Sequence, residues 1–262
     1  MENSKQIDAP TITINGVSKI YPGKDGAEGV KALEDVTTNI KDCEFVSIIG
    51  PSGCGKSTLL KVLAGLIPYE AGDVTICDKV IEGTLDEVGV VFQTPNLLPW
   101  LTIGKNLSLG AEMRGFKSKE IKPDIEAMVK VMSLDGFEDR YPHELSGGMQ
   151  QRVSIGQALL YKPQVLLMDE PFGALDALTR DRLNMELLRI WQAEKKTVVL
   201  ITHSIAEAVL LSDRVIVMSE RPACILEEII IDLPRPRDPR ATREMSKFGD
   251  YVVRLGALMG VV

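Results

Sequence analysis

The chain has 262 residues, 45% hydrophobic and 26% charged, with a formal net charge of -7. That length can bury a substantial core, and the acidic balance argues against the basic stripe of a nucleic-acid-binding surface. Four cysteines without a CxxC pair, and only two histidines, exclude a disulfide framework and a structural zinc site and fit a reduced compartment. The polar start "MENSKQIDAP" has no apolar h-region, so no signal peptide is expected. No apolar run approaches the roughly 20 residues of a spanning helix, so any membrane role runs through a partner.

In chain order, the β-branched run "TITINGV" (11–17) precedes a turn-rich "YPGKDGAEG" (21–29), which predicts antiparallel structure at one edge. "EFVSIIG" (44–50) is the next strand, and it runs into "GPSGCGKST" (50–58) and then the helix-like "LLKVLAGL". "VGVVF" (88–92) is another strand. Residues 94–160 then break the rhythm with helical patterns such as "IGKNLSLGAEMR" and "KPDIEAMVKVMSL", and are expected to form a helical subdomain inserted into an α/β core. "VLLMD" (165–169), "TVVLIT" (197–202) and "RVIVMS" (214–219) alternate with helix-length segments, the signature of a mostly parallel sheet covered on both faces. The tail 233–262 opens with "LPRPR" and resumes a helical pattern as a C-terminal extension. There is no internal repeat, so residues 1–262 are expected to hold one cassette.

Three stretches carry chemistry. Gly50, Gly55, Lys56 and Ser57 satisfy G-x-x-x-x-G-K-S/T between a strand and a helix. Glycines let backbone N–H groups turn toward an anion, and the following helix aims its positive dipole end at the same spot. Lys56 is expected to reach the β- and γ-phosphates, and Ser57 to ligate Mg²⁺. Cys54 in this loop is a variable position or, alternatively, an oxidant-sensitive thiol beside a helix N-terminus. "VLLMDEP" ends a strand in adjacent carboxylates, whose side chains point in opposite directions and so suit different tasks. Asp169 suits Mg²⁺ through a water, and Glu170 suits polarising an attacking water. His203 ends another apolar strand, at the ligand-binding edge of such a sheet or simply facing solvent.

"GPSGCGKST", Gln93 in "VVFQ", "LSGGMQQR", "LLMDEP", "GALD" (173–176) and His203 occur in the order and spacing of the ATP-binding subunit of ABC transporters. The resemblance runs from "TITINGVSKIY" to "LPRPR" and implies an α/β P-loop NTPase core with a mostly parallel sheet, an antiparallel β edge subdomain and an inserted helical subdomain. It implies ATP and Mg²⁺ as ligands, held by Tyr21, Gly50, Pro51, Ser52, Gly53, Cys54, Gly55, Lys56, Ser57 and Thr58. Tyr21 resembles the aromatic that stacks on adenine, a core tyrosine being the rival reading. Gln93 resembles the residue that links the γ-phosphate and Mg²⁺ to the helical subdomain. Asp176 resembles the acid that helps bring two subunits into register, and His203 the residue that contacts the γ-phosphate. Lys56, Glu170 and His203 are then the catalytic set, and Ser57, Gln93 and Asp169 the metal set.

Ser146 stands where an N-cap would, with Gly147 and Gly148 behind it, so the unpaired amides of "SGG" form a second anion site. In the family, that loop of one subunit closes over the ATP held by the other, which implies a homodimer formed on ATP binding. The sequence departs from the family's "IARAL" at Gly156 and Gln157. "EPFGALDALTR", "NLLPWLT" (96–102) and "MSERPACI…LPRPRD" (218–238) resemble the nitrate, sulfonate and taurine importers. The implied partners are permease subunits and, indirectly, a solute-binding protein, at the cytoplasmic face of the membrane. Leu98 and Trp100 either line the groove for the permease helix or pack internally. An exporter subunit, or an ATPase acting on nucleic acid or ribosomes, is the alternative. Those branches carry fused membrane helices, coiled-coil insertions or paired cassettes, and none is visible here.

Overall fold

The computed structural model describes residues 10–23, 29–173, 175–194 and 196–260. The expectation of a signal-free start (1–9) and part of the turn at 24–28 lie outside the described residues. The first sheet is antiparallel, in the order β2 (Val30–Lys41), β1 (Pro10–Tyr21), β4 (Ala71–Ile76), β5 (Lys79–Val80). Only the β1–β2 hairpin was foreshadowed by the turn-rich segment.

The second sheet has the order β10 (Ile225–Ile230), β9 (Arg214–Met218), β3 (Phe45–Ile49), β8 (Thr197–Ile201), β7 (Val165–Asp169), β6 (Val88–Val91). Strands β9 to β6 pair in parallel, while β10 is antiparallel to β9. Every residue of β3, β7 and β8 is buried, which is why these strands read as continuous apolar runs. Alternation still sorts them: Phe45, Ile49, Leu166, Met168, Val198 and Leu200 face one core, and Val46, Ile48, Val165, Leu167, Val199 and Ile201 the other. Helix α1 (Lys56–Leu63) fills the second core between the two sheets, through Leu59, Leu60, Val62 and Leu63. Leu183, Leu187 and Leu188 of α5 (Ala177–Glu194), Ala208 to Leu211 of α6 (Ile205–Leu211), and Phe248 and Leu255 of α8 (Ser246–Leu258) close the first.

Between β6 and β7 the chain forms α2 (Ile103–Met113), α3 (Ser118–Val131), a 3₁₀ turn (Pro142–Glu144) and α4 (Gly147–Leu160). Gly156 explains itself here. A Cβ there would lie 2.8 Å from Leu107 Cδ2 on α2 and 3.1 Å from Met128 Cγ on α3, so the missing methyl lets three helices approach.

The arginines of the tail are structural. Arg237, 2% exposed, donates to the carbonyls of Val209, Leu210, Ser212, Ile231 and Leu233, and burial pushes its pKa down to about 10. Arg235 stacks over Trp191 at 4.1 Å and pairs with Asp213. The tail thereby clamps the C-terminal end of α6 before α7 (Pro239–Arg243) and α8.

Candidate functional site

The chemistry gathers at the C-terminal ends of the parallel strands, where such sheets bind ligands. After β3 the chain makes the turn 50–55 and enters α1. Gly53 has φ 72° and Gly55, the residue before α1, has φ 141°, conformations that side chains resist. A Cβ on Gly55 would come within 2.8 Å of the Ala32 carbonyl oxygen, and one on Gly50 within 3.0 Å of that of Met218. Pro51 and Ser52 form the outer lip, and Cys54 is buried inward. Lys56 is also buried, and its ammonium crosses the mouth of its own loop, donating to the carbonyls of Gly50 at 2.9 Å and Pro51 at 2.8 Å. Its Nζ lies 3.9 Å from Cys54 Sγ. Tyr21 stands at the rim, 39% exposed, with its hydroxyl 3.3 Å from Thr58 Oγ1. It is therefore not a core tyrosine.

The adjacent carboxylates do go to different partners. Asp169 is buried at the end of β7 and accepts Ser57 Oγ at 3.0 Å. Burial raises its pKa, opposed by the Ser57 hydrogen bond. A desolvated carboxylate beside a hydroxyl is a hard-oxygen pair that fits Mg²⁺. Among the described residues there is no cluster of histidine, cysteine and acid side chains that would cage a metal alone, so phosphate oxygens and water would have to complete the shell.

Glu170 has φ 45°, a strained left-handed turn for a non-glycine residue. Its N–H donates to the Ile201 carbonyl at 2.9 Å, tying the end of β7 to β8. Glu170 Oε2 accepts Gln93 Nε2 at 3.1 Å and stands 3.4 Å from His203 Nδ1. Gln93, Glu170 and His203 follow β6, β7 and β8, neighbouring strands, so the sheet order alone brings them together.

The second loop is built as a cap. Ser146 Oγ accepts the Met149 N–H at 3.3 Å, and α4 begins at Gly147. A Cβ on Gly147 would meet nothing within 4 Å, whereas one on Gly148 would lie 2.9 Å from Leu175 Cδ2. The loop thus packs beside the segment that leads to Asp176. That carboxylate accepts the Thr179 N–H at 3.0 Å at the start of α5, and hydrogen bonding from the Thr179 side chain first, then from its N–H, lowers its pKa. Among the described residues, neither Ser146 to Gly148 nor Asp176 is hydrogen-bonded to the phosphate-loop or Glu170 groups.

Three residues escaped the sequence reading. Gln151 Nε2 donates to the Phe92 carbonyl at 3.1 Å, joining α4 to the residue before Gln93. Thr202, just before His203, donates to the buried Glu207 at 2.5 Å, which also accepts Asn184 at 3.2 Å. "QQR" flagged Gln151 only as part of a motif; Thr202 and Glu207 carry no signal short of the fold. Leu98 and Trp100 sit apart from each other in role. Asn106 holds the backbone of Leu98 through bonds of 2.8 and 3.2 Å, while Trp100 is 69% exposed. A cleft of about 350 Å³, lined by Phe92, Asn96, Arg114, Gln157 and Tyr161 among others, opens between β6 and the helices.

A family model described as "ABC transporter" matches residues 33–173. An uncharacterized ABC transporter ATP-binding protein of Methanocaldococcus jannaschii is 47% identical over 227 residues, 87% of this chain and 84% of that protein. An aliphatic sulfonates import ATP-binding protein of Bacillus cereus is 45% identical over 227 residues, 87% of this chain and 88% of that protein. A taurine import ATP-binding protein of Escherichia coli is 44% identical over 207 residues, 79% of this chain and 81% of that protein. Among solved structures, a dimeric ATP-binding cassette in a post-hydrolysis state with ADP and Pi superposes with a TM-score of 0.76 at 33% identity, covering 85% of this chain and 100% of that one.

Proposed function

The chain belongs to the ABC transporter family, and on that premise we propose that it is the ATP-hydrolysing subunit of an importer, working as a pair of copies closed head to tail around ATP. One observation carries the pairing: the chain has two glycine-rich loops that each lead into a helix, and among the described residues the "SGG" loop makes no hydrogen bond to the phosphate-loop or Glu170 groups. Relatives solved as dimers support the same reading. Phosphoryl transfer to water asks for positioning and charge neutralisation rather than covalent chemistry. Lys56 exchanges two loop carbonyls for phosphate oxygens, so its charge is already desolvated and aimed. Ser57, and Asp169 through a water, would hold Mg²⁺, which would supply charge neutralisation on the phosphates. Glu170 polarises the attacking water, and His203 and Gln93 fix its carboxylate through the two contacts to Oε2. Tyr21 stacks on the base. The Ser146 cap of a second copy supplies amides to the terminal phosphate.

No helix among the described residues is long and apolar enough to cross a membrane. The relatives named as import ATP-binding proteins support placing the pair on the cytoplasmic face of a permease, with exposed Trp100 and the cleft lined by Phe92 and Asn96 offered as its seat. The relatives named for aliphatic sulfonates and taurine point to a small sulfonate-like anion as cargo, captured by a separate solute-binding protein. The test is a mild-detergent pull-down from native membranes. A multi-span permease together with a solute-binding protein supports the reading; recovery with DNA or ribosomes alone refutes transport and leaves the ATP chemistry standing.

A further inference from the structure

The turn between β9 and β10 has no part in the chemistry above, yet it wraps the outside of the phosphate loop. Gly50, Gly53 and Gly55 each face it. A Cβ on Gly50 would stand 3.0 Å from the Met218 carbonyl oxygen, one on Gly53 3.9 Å from a guanidinium nitrogen of Arg221, and one on Gly55 3.3 Å from Ala223 Cβ. The turn is itself well tied. Ser219 Oγ accepts the Cys224 N–H at 3.0 Å and lies 2.8 and 3.3 Å from the carbonyl oxygens of Glu220 and Pro222. Ala223 donates to the Ala32 carbonyl and accepts from Glu34 N–H, both at 3.0 Å, which fastens the turn to β2. From this frame Arg221 donates its guanidinium to the Gly53 carbonyl at 2.5 Å.

We propose that Arg221 is a positioning residue for nucleotide binding, latching the Gly53 carbonyl outward so that the amide of the next residue stays turned into the phosphate loop. The inference rests on the nucleotide site proposed above. In a planar trans peptide the C=O and the following N–H point in opposite directions. A carbonyl held on the outer side therefore presents Cys54 N–H inward, where it donates to the Pro51 carbonyl of the same loop at 3.3 Å. Gly53 at φ 72° has no Cβ to hold its backbone in place, so an external clamp selects the conformation. The guanidinium is a strong, charge-assisted donor, and it also sets a fixed positive charge at the lip that receives a polyphosphate.

Arg221 is exposed, so its replacement spares the core. The experiment titrates MgATP into the parent, Arg221→Ala and Arg221→Lys, and records melting temperatures without nucleotide. Arg221→Ala is expected to weaken MgATP binding about three- to tenfold. Its melting temperature without nucleotide stays at the parent value, and the deficit persists at high salt. Lysine restores only part of the affinity, because a point charge on a flexible stem does not reproduce the planar fork. Equal affinities of Arg221→Ala and parent overturn the proposal. So does full rescue by lysine with a deficit that vanishes at high salt, which leaves only long-range attraction. A fall in melting temperature that accounts for the loss of binding also overturns it, assigning Arg221 to stability. A parent chain that does not bind MgATP overturns the nucleotide site itself.

Discussion

Replacing Glu170 with glutamine separates the tasks of the two neighbouring carboxylates. Glu170 Oε2 receives Gln93 Nε2 at 3.1 Å and stands 3.4 Å from His203 Nδ1. Glutamine keeps the length of the side chain, and its amide oxygen retains the bond from Gln93. The fold and the ATP affinity set by Lys56 and the phosphate loop are therefore expected to survive. What disappears is the negative charge that polarises water and takes up its proton. Removing a preorganised group of this kind costs about 10²–10³ in rate, about 2.7–4 kcal/mol of barrier. Weakening one hydrogen bond costs only about 1 kcal/mol, roughly fivefold. The distance between these figures makes the test decisive. Phosphate release is measured at saturating MgATP, beside a binding titration and size-exclusion chromatography with ATP present. The expected outcome is a kcat lower by about 10²–10³, an unchanged Kd and a dimer that persists with ATP. Turnover within about fivefold of the parent refutes the role, since a hydrogen bond alone would account for it.

Ser146→Arg puts a long cation on the cap of α4 and is expected to abolish ATP-dependent dimers while the monomer keeps its ATP affinity; lost binding in the monomer would show that the loop acts in its own chain. Asp169→Asn is expected to raise the melting temperature at neutral pH while removing Mg²⁺-dependent turnover. The sign follows from the raised pKa of the buried carboxyl. Between the usual value of 3.8 and the raised one the folded chain holds more protons than the unfolded chain, so stability falls as pH climbs through that window and the penalty remains at pH 7. A variant with a lower melting temperature contradicts this. Arg237→Met leaves buried carbonyls of α6 and the tail without a donor and is expected to cost about 3–5 kcal/mol in urea unfolding. A loss under about 1 kcal/mol would mean that the clamp is not structural.

Much of the site was legible because its parts are contiguous. A phosphate loop is a backbone conformation, and the glycines at 50, 53 and 55, the lysine that follows and the flanking strand and helix can be read without knowing what lies nearby. The strands with both faces buried, β3, β7 and β8, were legible for a related reason: two apolar surroundings leave no room for polar alternation. The strands β2, β4, β5 and β10 were harder to read. They lie at edges or half in solvent, and "ILEEII" carries glutamates that pair with Arg214 and Arg254 across space.

What only the tertiary structure decided were contacts between chain segments far apart. That Glu170 meets Gln93 and His203 follows from the order β6, β7, β8, which no spacing in the sequence reveals. The reason for Gly156 lies in the side chains of Leu107 and Met128 on two other helices. Arg237 looked like part of a polar, proline-rich tail until five carbonyls from 209–233 were found around it. The sequence by itself determined the family and the phosphate-loop motif, because each depends on the residue's own backbone and its immediate neighbours. The tertiary structure decided which of those residues touch, and so how their charges and hydrogen bonds are shared, because side-chain reach is short and only chain folding brings distant segments within it.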